Sequence, residues 1–116
     1  MLPDPEESLS VSPETLSAIL ADRDSHPIRL IDCREQDEFA INKIADAALV
    51  ALSGFPDAPQ PLLASPDPPV VVYCHHGMRS AQAAGFLRHR GITHTFSLQG
   101  GIDLWSQEID PDVPRY

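Results

Sequence analysis

Apolar residues fall along this chain in short runs of strand length, separated by stretches of helical spacing. Ser8-Leu9-Ser10-Val11 predicts a short edge strand, and Ile28 to Cys33 a second strand with Leu30-Ile31 buried at its centre. Ala47 to Leu52 predicts a weak third strand. Val70-Val71-Val72-Tyr73 is a continuous β-branched run, the composition of a strand buried on both faces of a parallel sheet. His94 to Leu98 predicts the last strand. Between these lie helical patterns. Ser12 offers an N-cap and Pro13 an N1 residue to a helix carrying Leu16, Ile19 and Leu20. Glu35 to Phe39 predicts a short acidic helix. Ala83, Ala84, Phe86 and Leu87 share a helical face that closes at Gly91, a C′ residue suited to positive φ. Gly100-Gly101 turns into a short helix with Ile102, Leu104 and Trp105. Strands alternating with helices predict an α/β fold: a mainly parallel five-stranded sheet flanked by helices on both faces.

A chain of 116 residues is expected to form one domain, residues 1–116. Residues 1–7 read as a loosely ordered lead and residues 109–116, with two prolines, as an extended tail. Ser53 to Pro69 is a proline-rich loop, with one turn of helix expected around Leu62-Leu63-Ala64.

The hydrophobic fraction of 42% is ordinary for a globular protein, and no apolar run approaches the ~20 residues of a membrane span. The acidic, proline-containing start lacks the basic and apolar regions of a signal peptide. A cytoplasmic protein with no membrane association is therefore expected. A net charge of −9 opposes nucleic-acid binding. The charge is unevenly spread. No carboxylate lies between Asp67 and Asp103, whereas Arg79, Arg88 and Arg90 do. This predicts a locally positive patch that draws small anions. Arg88 and Arg90 read as solvated helix residues, and Arg79 as part of a loop.

Two cysteines, Cys33 and Cys74, make neither a disulfide framework nor a zinc site. Cys74 ends the buried run and opens Cys74-His75-His76-Gly77-Met78-Arg79-Ser80, which leads into a helix. A thiol there meets free backbone N–H groups and the positive end of the helix dipole, both of which favour the thiolate. Cys74 is the candidate nucleophile. Asp32 and Arg34 end the second strand. In open parallel sheets ligands bind beyond the carboxyl ends of the strands, where these residues and Cys74 share an edge.

Three segments of the chain, spanning Ser8 to Trp105, resemble the single-domain rhodaneses. Leu30-Ile31-Asp32-Cys33-Arg34-Glu35 with Glu38-Phe39 is similar to that family's L-I-D-V-R-E-x-x-E-F. Cys74 to Ser80 is similar to its C-x-x-G-x-R-S loop, and Leu98-Gln99-Gly100-Gly101-Ile102 with Trp105 to its L-x-G-G-x-x-x-W segment. Asn42 to Ala47 departs from the family's G-H-I-P-G-A. The resemblance implies transfer of sulfane sulfur from thiosulfate or a similar donor to cyanide or a thiol, through a persulfide on Cys74. It implies no cofactor beyond that covalent intermediate, no metal, and as partners a small-molecule donor and acceptor or an acceptor protein thiol.

On this reading backbone N–H groups from His75 to Ser80 curl around the anionic sulfur, Gly77 permits the curvature, and Arg79 adds charge for the donor. His75, His76 and Met78 line the mouth. Asp32 and Arg34 pair to hold the loop edge. A phosphatase or arsenate reductase on the same fold would need one more residue between cysteine and arginine. Cys74 to Arg79 is C-x4-R, the shorter loop. A non-enzymatic persulfide carrier is the other alternative. Cys33 stands at a usual valine position and reads as inert packing, so Cys33→Val is expected to leave the rate unchanged; a resolving thiol is its other reading.

Overall fold

The computed structural model describes residues 2–57, 65 and 67–116. Leu62-Leu63-Ala64, expected to form a helical turn, lie outside the described residues. The strands are β1 (Ser10–Val11), β2 (Arg29–Asp32), β3 (Ala48–Leu49), β4 (Val70–Tyr73) and β5 (Thr95–Leu98). The α-helices are α1 (Pro13–Leu20), α2 (Gln36–Ile41), α3 (Met78–His89) and α4 (Gly101–Glu108). The strands form one sheet in the order β1-β5-β4-β2-β3, and every pair in it is parallel. The α/β fold is as the pattern predicts.

The two-residue period of a strand divides the core in two. Leu30, Val71, Tyr73, Phe96 and Leu98 face α1 and α4, packing with Leu16, Ile19, Ile102 and Trp105. Ile31, Val70, Val72 and Cys74 face the opposite side, with Ala83 and Leu87 of α3 and with Phe55. Phe55 belongs to a 3-10 helix, Leu52–Asp57. β4 is fully buried on both faces, as its uninterrupted apolar run requires. Ser12 caps α1 by accepting the Thr15 N–H at 3.1 Å.

Four expectations change. The third strand was expected over Ala47 to Leu52, but pairing stops at Leu49 and Leu52 already begins the 3-10 helix. The residues after Leu49 turn instead onto the ends of their neighbours: the Val50 N–H donates to Asp32 O and the Leu52 N–H to Cys33 O, each at 2.9 Å. Arg88 is not a solvated helix residue. Its guanidinium donates to the carbonyls of Thr95, Pro5 and Ser8, each at 2.8 Å, and so ties the lead to α3.

The tail is not extended. It turns through Val113, whose N–H reaches Asp110 O at 3.1 Å, because burying Val113 beside Trp105 gains apolar contact. The Asn42 side-chain amide then donates to Pro114 O, and Tyr116 returns to the sheet edge. Nor is the patch around Cys74 carboxylate-free in space, since Glu38 and Asp103 reach it from elsewhere in the chain.

Candidate active site

β4 ends at Tyr73, and the next four residues cross to the N-terminus of α3. Gly77 is the N-cap of that helix with φ +107°, a conformation that a side chain would strain. Its position turns the chain back on the sulfur. Cys74 Sγ accepts the Gly77 N–H at 3.0 Å and the Ser80 N–H at 3.4 Å, with Ser80 Oγ at 3.5 Å. Ser80 is itself buried and lies 2.6 Å from Ser97 Oγ, which fixes its hydroxyl against the sulfur.

The far side of the loop is held by α4. The Ile102 N–H donates to Cys74 O at 2.8 Å and the Asp103 N–H to His75 O at 3.1 Å, so the free amides of the α4 N-terminus bind the nucleophile's own backbone. That approach requires glycine. A Cβ on Gly101, where φ is +61°, would lie 2.5 Å from Cys74 O and against His75 O. The Gly100-Gly101 pair seats the loop.

Cys74 is 1% exposed. A cavity of about 480 Å³ meets it, lined by Cys74, His75, His76, Met78, Arg79 and Gln82. Gln82 was not expected from the sequence; its position one turn beyond Met78 on α3 was the available signal. Met78 is 83% exposed at the rim. The His75 ring is stacked between His76 at 3.8 Å and Tyr116 at 3.9 Å. Burial, with a smaller contribution from His76, lowers its pKa and keeps it neutral at neutral pH. His75, His76 and Asp103 bring possible metal-ligand atoms within 4.8 Å of one another, although Asp103 already accepts from Arg115 at 2.8 Å.

Arg79 points at the cavity but does not carry a bare charge. Its guanidinium grips Glu38 in a bidentate pair, at 2.6 and 2.8 Å, and the Tyr116 hydroxyl donates to the same carboxylate at 2.6 Å. Arg79 brings the Glu38 pKa down to about 2, against an opposing push from burial. A carboxylate depressed in the folded state adds stability that is present above about pH 4.5 and lost as pH falls through about 2. Glu38→Gln should therefore flatten the acid limb of stability across that window, as read by urea unfolding at successive pH values. Equal slopes in the two proteins would mean that the pair adds nothing.

Asp32 and Arg34 lie together, wholly buried, with Arg34 Nη2 2.7 Å from Asp32 Oδ2. They sit under the loop edge and hold Asn42 and Tyr116, consistent with a supporting pair. Cys33 is buried in the apolar cluster that also holds Cys74.

A family model for the rhodanese-like domain matches residues 12–108. The chain belongs to the rhodanese-like family. It is 33% identical over 103 residues to a sulfurtransferase of Allochromatium vinosum, covering 89% of this chain and 92% of that one. It is 32% identical to the thiosulfate sulfurtransferase GlpE of Stutzerimonas stutzeri over 84 residues, 72% of this chain and 75% of that protein. The fold superposes on the human single-domain sulfurtransferase TSTD1 with a TM-score of 0.70 at 27% identity, covering 87% of this chain and 97% of that one. Several further relatives are much longer, and the chain spans only 21% to 30% of their length. Among the described residues no helix is long and apolar enough to cross a membrane.

Proposed function

We propose that this rhodanese-like chain is a sulfurtransferase that takes sulfane sulfur from thiosulfate, or a similar donor, onto Cys74 and passes it to cyanide or a thiol acceptor. The observation that carries the reading is the convergence of the Gly77 N–H and the Ser80 N–H on Cys74 Sγ, with Ser80 Oγ alongside, at the foot of an open cavity. Such donors stabilise a sulfur anion at this point without a general base. The cavity is wide enough for a small oxyanion, and the GlpE-like relative is named for thiosulfate.

In the first half-reaction the Cys74 thiolate attacks the outer sulfur of thiosulfate. A new S–S bond forms, the donor's S–S bond breaks, and its electron pair leaves with sulfite. The outer sulfur now carries the negative charge. In the second half-reaction the acceptor attacks that sulfur and the electron pair of the Cys74 S–S bond returns to Sγ. The two displacements make a ping-pong scheme. His75, His76 and Met78 shape the entrance, and Arg79, steadied by Glu38, faces the incoming anion. The C-x4-R spacing leaves a short cradle suited to one sulfur rather than to tetrahedral phosphate. No cofactor is needed, and the partners are the sulfur donor and a small-molecule or protein-thiol acceptor in an aqueous, cytoplasmic setting.

Intact-mass measurement after incubation with thiosulfate tests this reading. The protein should gain one sulfur atom, located at Cys74, and lose it on addition of cyanide as thiocyanate appears. An unchanged mass with thiosulfate and with other sulfane-sulfur donors would remove the proposal.

A further inference from the structure

β2 and β4 run side by side in parallel, with Asp32 opposite Tyr73. The Cys33 N–H continues the ladder, donating to Tyr73 O at 3.0 Å. One step further along both strands, Cys33 comes opposite Cys74. Neighbouring strands lie about 4.8 Å apart and like positions point to the same face. The two thiols accordingly share one apolar cluster with Ile31, Val72, Ala83 and Leu87, where Cys33 is 0% exposed.

The two sulfurs are chemically unequal. Cys74 has the Gly77 and Ser80 donors and opens on the cavity. Cys33 is buried in the apolar cluster, and the nearest carboxylate, Asp32, is its chain neighbour. The charged or titratable groups bearing on the pair are Asp32 from β2, Arg79 from α3, and His75 and His76 of the loop at the cavity mouth. A single proton shared between the two sulfurs therefore stays on Cys33.

We infer that Cys33 is a positioning residue for the chemistry at Cys74: its S–H donates to Cys74 Sγ and holds that sulfur as a thiolate. This rests on Cys74 being the sulfur-accepting nucleophile. The titration directions agree. The Cys33 hydrogen bond contributes most to lowering the Cys74 pKa, against the upward push of burial, while the Cys33 thiol is pushed up. The same donor serves the second half-reaction. As the acceptor removes the outer sulfur, the electron pair that returns to Cys74 Sγ forms a thiolate beside a waiting S–H, and a lower-pKa thiolate leaves faster. The expectation that Cys33→Val leaves the rate unchanged is replaced. Valine fills the space and removes the donor.

The test is the rate of Cys74 alkylation by iodoacetamide across pH in the full chain, for wild type, Cys33→Val and Cys33→Ser, with Cys74→Ser as the blank. In Cys33→Val the titration midpoint should rise by about one pH unit or more, making alkylation roughly threefold slower at pH values below both midpoints, where a roughly tenfold loss of thiolate is partly offset by its higher nucleophilicity. Above both midpoints the variant should be faster, by about threefold, because thiolate nucleophilicity rises with pKa. Cys33→Ser restores a donor and should move the midpoint back toward wild type. A Cys33→Val profile that overlays wild type, or a Cys33→Ser midpoint displaced as far as that of Cys33→Val, would overturn the inference. Should Cys33→Val fail to fold by circular dichroism, Cys33→Ala carries the same comparison. Alkylation needs no sulfur donor. A shifted profile in a protein that takes up no sulfur would thus overturn the sulfurtransferase reading and leave the hydrogen bond standing.

Discussion

Cys74→Ser is expected to abolish thiocyanate formation from thiosulfate and cyanide, down to the uncatalysed background, while the protein stays folded. Serine is close in shape and, at a position 1% exposed, still accepts the Gly77 N–H. What it lacks is an anion. The donors at this site suffice for a thiol, whose ordinary pKa is about 8.5, and a hydroxyl ionises far less readily. The His75 ring is taken up in stacking against those of His76 and Tyr116. An oxygen nucleophile would also have to form an S–O bond in place of the persulfide. Steady-state thiocyanate assays beside urea unfolding curves separate the two effects. Turnover within a few-fold of wild type in a folded Cys74→Ser protein would remove the covalent mechanism.

The parts of this site that the sequence displayed are those built from neighbours along the chain. Val70 to Ser80 places strand, nucleophile, glycine N-cap and helix within a dozen residues, and each obeys a local rule of burial, φ or capping. Glu38, Tyr116 and Cys33 obey no such rule in this role. Glu38 reaches Arg79 from 41 positions away and Tyr116 reaches Arg34 from 82, contacts that only the sheet order creates. The absence of carboxylates between Asp67 and Asp103 thus described the chain correctly and the surface wrongly. The role inferred for Cys33 was hidden for a related reason. An apolar strand position does say that a side chain is buried, but not which residue it faces. That depends on β2 lying next to β4 rather than next to β5.

Arg34→Met should cost about 3–5 kcal/mol of folding stability, the usual penalty for stripping the partner from a buried charge. Both Arg34 and Asp32 are fully buried. Arg34 Nε donates to Asp32 at 3.0 Å, Nη2 to Asp32 Oδ2 and Asn42 O at 2.7 Å each, and Nη1 to Asn42 Oδ1 at 2.7 Å and Tyr116 Oη at 2.8 Å. All five N–H groups of the fork are thereby used, on the end of β2, the end of α2 and the tail. Burial alone would lower the Arg34 pKa, but the hydrogen bonds to Asp32 and Tyr116 outweigh it and hold the charge in place. Methionine keeps most of the volume and none of the donors, so Asp32 is left charged in a dry site. For a domain of this size the loss corresponds to a fall in melting temperature of roughly 15 °C or more. Adding Asp32→Leu to Arg34→Met should recover part of it, because removing both partners of a buried pair is far cheaper than removing one. A loss below about 1 kcal/mol for Arg34→Met alone, or no recovery in the double variant, would mean that the pair does not hold this edge of the sheet.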